Sequence, residues 1–190
     1  MKKLLLALVV IFINVMSLFA WEPKDLTKFP PGMDAKSWIL NLGIGIFDFE
    51  ISKNGHTYIP HIRLSFDRNI EIGDNKLPFF AGGIVSYSGH GYKDDWNDWF
   101  VDEVSVGGRF GYHFNWGVNN LDTYAVTTAG VLIDSFKDKK YDDNDNIKSK
   151  LFWGVNLGAR YFLNKWFGFW AETGFTYDVF IVDIGLAFKF

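Results

Sequence analysis

"SVGGRFGYHF", residues 105–114, sets apolar or aromatic side chains at even positions and small or polar ones at odd positions. Val106, Phe110, Tyr112 and Phe114 stand on one side with Gly108 among them; Ser105, Gly107, Arg109, Gly111 and His113 stand on the other. A period of two marks a β-strand with unlike faces. Two architectures suit it. In a water-soluble sheet the aromatics are the core and Arg109 meets water. In a membrane barrel the aromatics meet lipid and Arg109 meets the lumen.

The same alternation recurs from residue 37 to the last residue. Strand one, about 37–50, puts Trp38, Leu40, Leu42, Ile44 and Ile46 against Asn41, Gly43 and Gly45, with a phase slip at Phe47-Asp48-Phe49 that predicts a bulge. Strand two, about 57–72, sets Ile62, Leu64, Phe66, Ile70 and Ile72 against His61, Arg63, Ser65, Asp67, Asn69 and Glu71. Strand three covers about 77–88, and strand four ends at Phe114. Strand five, about 121–133, is the least decided; Tyr124, Val126 and Leu132 stand against Ala125, Thr127 and Ala129. Strand six, about 150–162, places Arg160 and Asn156 among glycines. Strand seven pairs Phe167, Phe169 and Phe175 against Gly168, Trp170, Glu172 and Gly174, and strand eight sets Phe180, Val182, Ile184, Leu186, Phe188 and Phe190 against Asp183, Gly185 and Lys189.

The second faces decide between the architectures. They carry His61, Arg63, Asp67, Arg109, His113, Arg160, Glu172 and Asp183 among many glycines. Glycine weakens a water-exposed strand face, whereas a narrow lumen that side chains must fill needs small residues beside large ones. A periplasmic lipocalin-like barrel or sandwich would turn the aromatics inward and the glycines outward. The pattern predicts an all-β fold, an eight-stranded antiparallel up-and-down transmembrane barrel over residues 37–190. An even strand number puts both termini on one side. The connections GDNK, NWGVNN and LNKW would be short periplasmic turns, and 89–99 and 134–149 longer, acidic outer loops.

Composition agrees. Aromatics make up 19 % of the chain, with 20 Phe, 8 Trp and 8 Tyr, more than one small soluble core needs. Residues 1–20 have the form of a signal peptide: Lys2 and Lys3, an apolar run, and Ala20 at the cut site. Residues 21–36, with Pro23, Pro30 and Pro31, form an irregular lead. No other run is long enough for a spanning helix. The absence of cysteine excludes disulfides, thiolate metal sites and a cysteine-linked lipid. A formal charge of −3, becoming −5 once Lys2 and Lys3 leave, gives no basic surface for nucleic acid.

The last eight residues, "DIGLAFKF", match the pattern of an outer-membrane assembly signal through Asp183, Gly185, Phe188 and Phe190. Residues 154–175, "GVNLGARYFLNKWFGFWAETGF", are similar to the penultimate hairpin of small OmpA/OmpX-like outer-membrane β-barrel proteins. The resemblance implies the fold, bacterial outer-membrane lipids as surroundings, and insertion by periplasmic chaperones and the barrel assembly machinery, which would read the last strand by edge pairing. It implies no ligand, since one fold hosts many functions.

Counting from the strand ends brings Asp67, Arg109, Glu172 and Asp183 to similar mid-height, with Arg63 somewhat higher, so Arg–carboxylate pairs are expected to fill the lumen. Arg160 and Lys189 are expected at the periplasmic mouth, setting its charge. The function expected is structural or surface-interactive. The alternative is a narrow porin-like channel for small ions or small apolar solutes, its pairs acting as a gate. An adhesin would bind through loops 89–99 and 134–149, and Tyr92, Trp96 and Trp99 suit an aromatic belt. The run DDNDN at 142–146 lacks the glycine and glutamate of a calcium loop, Ile147 and Trp153 standing in those places. No catalytic residue, metal or cofactor is expected: His56 and His90 read as loop residues without a serine or acid beside them, which leaves a lipid-modifying enzyme without support, and His61 and His113 read as lumen fillers.

Overall fold

The computed structural model describes residues 25–48, 56–93, 98–138, 142–176 and 179–190. The expected signal segment, the end of the slip at Phe49, and Asp94, Asp95 and Trp96 lie outside the described residues, as do the side chains of His56, Tyr92, Asp98 and the DDNDN run.

Eight strands form: β1 (Trp38–Asp48), β2 (His56–Ile72), β3 (Leu77–Lys93), β4 (Asp98–Phe114), β5 (Leu121–Asp138), β6 (Asp142–Phe162), β7 (Phe167–Thr176) and β8 (Val179–Lys189). Each pairs antiparallel with its sequence neighbours, and β1 pairs with β8 to close the barrel. Closure removes every long sheet edge within the apolar belt. The register of β1 against β8 shifts between Gly45 and Phe47, where the alternation slips. The turn after β2 is opened by Gly73 at φ 77°, a conformation a side chain disfavours.

Alternation becomes two surfaces. Leu42, Ile44, Leu64, Phe66, Val106, Phe110, Val155, Leu157, Phe169, Ile184 and Leu186 point out and are exposed, while Arg63, Asp67, Arg109, Arg160, Glu172 and Asp183 are buried inside. This inverts a soluble protein and answers the question put by residues 105–114: Phe110 faces out and Arg109 faces in. At the turn end, Trp38 stacks on Phe66 at 4.7 Å, Trp166 stacks on Phe188, and Tyr112, Phe114 and Trp116 adjoin, which makes an interfacial girdle.

Two expectations are corrected. The segments 89–99 and 134–149 are not loops but mostly sheet: Gly89–Lys93 pairs with Asp98–Asp102, and Asp134, Ser135 and Phe136 pair with Asn146, Ile147 and Lys148. Here the apolar alternation fades although the backbone ladder continues. The wall is consequently lopsided. β6 is 21 residues long, but β7 has only 10 and meets β6 no higher than Gly154 opposite Thr176. Strand five also takes a definite phase: Tyr124 and Val126 are buried in the lumen, and Thr127 and Ala129 face out.

Candidate functional site: the lumen ion network

The lumen floor holds an apolar cluster of Phe80, Tyr124, Val126, Phe162, Trp170 and Ala187. Around it, strand parity delivers polar side chains from every strand but β3, which places Phe80 and Gly82 there. Antiparallel pairing sets Glu172 directly opposite Asp183, and Gly82 directly opposite both Asp67 and Arg109. The absent side chain at Gly82 leaves the room in which Arg109 reaches Asp67.

Two linked layers result. In the upper one Glu172 accepts from Arg63, from Arg109 at 2.7 Å, from the Tyr124 hydroxyl at 2.8 Å and from Asn156 at 3.1 Å. Arg63 also donates to Asp183 at 2.6 Å, and His61 lies 3.1 Å from the same carboxylate. Trp170 donates its indole N–H to the Tyr124 oxygen at 2.7 Å, fixing the hydroxyl toward Glu172. In the lower layer Arg160 donates to Asp67 at 2.6 Å, to Asp122 at 2.8 Å and to the Asn41 carbonyl oxygen at 2.9 Å, and lies 4.1 Å over the Tyr124 ring. Arg109 joins the layers, its Nε 3.1 Å from Asp67. Each ion is expensive to dry, so each is held by several charge-assisted bonds.

All five residues of the expected charge cluster, Arg63, Asp67, Arg109, Glu172 and Asp183, meet in this network. Arg160 corrects the sequence reading: it is fully buried at the centre of the lower layer, not at the mouth, because the strand registers bring Asp67 and Asp122 around it. Lys189 does lie at the turn end, bonded to the Gly32 carbonyl. Sequence reasoning missed Asp122 and Tyr124. The available signal was parity, since Asp122, Tyr124, Val126 and Thr128 share one face and all four are buried.

Above the network the lumen changes character. Ser86 and Ser105 bond at 2.6 Å, Ser88 donates to Glu103 at 3.1 Å, and Lys150 pairs with Asp134 at 3.3 Å. His90 is also corrected: it stands on β3, with Ser88 on its own strand and Glu103 at 4.0 Å. The three do not form a nucleophile and base, because Ser88 donates to the acid and Nδ1 of His90 has no hydrogen-bond partner. Among the described residues no group of three His, Cys, Asp or Glu side chains is placed to hold a metal ion.

The lead closes the other end. Pro30 is buried, Met33 packs on the apolar cluster, and Phe29 lies 5.4 Å from the His113 ring. Asn69 donates to the Asp34 carbonyl at 2.9 Å and Asn120 N–H to the Pro31 carbonyl at 3.4 Å. At its outer edge Asp25 accepts from the Thr27 hydroxyl at 2.6 Å and lies 2.9 Å from Lys28. These contacts, the Thr27 hydrogen bond foremost, hold its carboxyl down at about 2.

Of the C-terminal motif, Asp183 is the lumen acid already described and Phe190 is exposed. Gly185 lies where a Cβ would overlap the Leu42 carbonyl. Phe190 and Trp38 exchange backbone hydrogen bonds at 2.9 and 3.0 Å, fastening the last residue to the first strand.

No family model matches the chain, and no curated protein does. Solved structures do. The attachment invasion locus protein Ail of Yersinia pestis aligns over 83 % of this chain and 100 % of its own, at 16 % identity and a TM-score of 0.50. Neisserial surface protein A aligns over 80 % of this chain and 95 % of its own, at 11 % identity and a TM-score of 0.50. At such identities the likeness is one of fold. The fold of this chain is that of the small eight-stranded outer-membrane barrels of the OmpA/OmpX type.

Proposed function

We propose that the chain is an integral protein of the bacterial outer membrane, exported by its signal peptide, with a structural and surface-interaction role and no catalytic one. The observation that carries this is the pairing of an apolar, exposed outer belt with a lumen filled by buried ion pairs. A barrel of eight strands leaves room for side chains only, and here they are Arg63, Arg109, Arg160 and their acids. Outer-membrane lipids are the solvent of the belt. The assembly machinery would read β8 by its free edge before that edge closes on β1. An extracellular ligand would meet the raised sheet of β3 to β6, where residues 89–99 and 134–149 stand, rather than loose loops. The names of Ail and the neisserial protein, an attachment and a surface protein, suit such a role.

The test is single-channel conductance of the refolded mature chain in a planar bilayer. The expected result is silence. Steady or flickering current that rises in Arg109→Ala and Glu172→Ala would overturn the filled-lumen reading and establish a gated channel for small ions.

A further inference from the structure

The protonation of His113 follows from its neighbours. Its Nδ1 lies 2.6 Å from a carboxylate oxygen of Asp122 and its Nε2 lies 3.1 Å from the amide oxygen of Asn69. The Asn69 amide cannot be turned over. Its nitrogen donates to the Asp34 carbonyl at 2.9 Å, and the opposite orientation would face two oxygens against each other. Both ring nitrogens therefore face acceptors, and both must donate.

The count of buried charge agrees. Three arginines, Arg63, Arg109 and Arg160, face four acids, Asp67, Asp122, Glu172 and Asp183. Of the two histidines beside these acids, His61 at Asp183 keeps 15 % of its side chain in water and His113 at Asp122 none, and a charged His113 makes the buried sums equal. Around it stand Asp122 from β5, Asn69 from β2, Phe80 from β3, the Tyr124 ring at 6.4 Å and Phe29 of the lead, and Arg160 of β6 holds the other oxygen of Asp122. An aromatic face within about 6 Å of a cation is attractive, so Phe29 gains from this charge.

We propose that residues 25–37 form a built-in stopper for the periplasmic mouth of the barrel, latched on His113 as an imidazolium. Met33 and Pro30 fill the mouth, Phe29 caps the ring, and Asn69 ties the ring to the Asp34 backbone. The side of the membrane rests on the reading above; the latch itself does not.

The cysteine-free chain allows a direct test. Ala187 is fully buried in the cluster that Met33 covers. In an Ala187→Cys chain, a small methanethiosulfonate should label the thiol at least about tenfold faster when residues 25–36 are deleted or Phe29 and Met33 are both alanine, because a covering segment sets access by its opening equilibrium. Equal rates would overturn the stopper. A Ser86→Cys chain reports the upper lumen, and its rate should ignore the lead; an equal rise there would mean the whole barrel had loosened and would overturn the proposal as well. Nitrogen NMR of His113 in the full mature chain at neutral pH should find two protonated ring nitrogens. One protonated nitrogen would overturn the latch. Folding of each variant, read from its heat-modified gel mobility, separates a failed stopper from a failed barrel.

Discussion

The lower and upper lumen of this barrel are built from the same strands by the same alternation, yet they treat charge in opposite ways. Below, Arg160, Asp67, Asp122 and Glu172 are dry, and each has several partners. Above, Asp134 and Lys150 lie 3.3 Å apart and keep 23 % and 42 % of their side-chain surface in water. The difference follows from what water provides. A dried ion must recover its hydration from the protein, so one bond is too few. An ion with water beside it needs little, and its pairing contributes little. The comparison teaches where the barrel's specificity resides: the lower network fixes strand register and lumen shape, while the upper mouth is free to vary with what it meets outside.

The strongest way to break the contrast is Glu172→Ala. It leaves Arg63 and Arg109 short of an acceptor and strands the Tyr124 hydroxyl and the Asn156 amide. Breaking a buried pair from one side costs roughly 3–5 kcal/mol. Urea unfolding in lipid vesicles should show the midpoint collapse or refolding fail. A change below about 1 kcal/mol would mean that water reaches the network.

Packing gives the next largest effect. Gly158 lies against the Tyr124 ring, and a Cβ there would overlap it. Gly158→Ala should push the ring away from Glu172 at a cost of about 1–3 kcal/mol. Gly108, on the lipid side, has only the Gly82 carbonyl at 4.0 Å near such a Cβ. Gly108→Ala should be neutral or stabilise by roughly 0.4–1 kcal/mol through the unfolded chain. The same urea titration compares the two, and equal losses would mean that backbone strain rather than the ring decides.

Lys150→Ala probes the wet side and should cost about 0–1 kcal/mol in that titration, falling further as salt is added. A loss as large as that of Glu172→Ala would mean the upper mouth is closed to water and the contrast is false.

Much of the fold was legible because the lipid-facing pattern is strict. The parity of residues 105–114 puts Arg109 opposite Phe110, and the glycines among the charges of the second faces turn that side inward, with Arg63, Asp67, Glu172 and Asp183. On β5 parity sorted the two faces but did not say which one is inside, for a physical reason. Tyr124 is aromatic yet belongs inside, since its hydroxyl serves Glu172 and its ring carries Arg160. The heights of Asp122 and Arg160 depend on register across three strands, which no single strand encodes. The extended wall over the described parts of 89–99 and 134–149 was hidden because its sequence lacks the apolar alternation of the belt. The lead was opaque because it has no period; its proline-rich path is set by the mouth it fills.

Asp25 offers the smallest effect and the sharpest control on the wet side of the comparison. Its carboxyl is held down from 3.8 to about 2, first by the Thr27 hydroxyl and then by Lys28. The sign follows from the lowering. A depressed carboxyl contributes above its unfolded value and loses that contribution as pH falls from about 4 through 2. A third of its side-chain surface stays in water, so screening leaves the contribution small. The turn at 25–28 should therefore keep its amide NMR shifts down to about pH 3 and lose them only below, while Asp25→Asn leaves the urea midpoint where it was. A midpoint that moved would make the turn part of the lead's seating. An unmoved midpoint would set the seating further in, at Phe29, Met33 and the Asp34 carbonyl, where the contacts are dry.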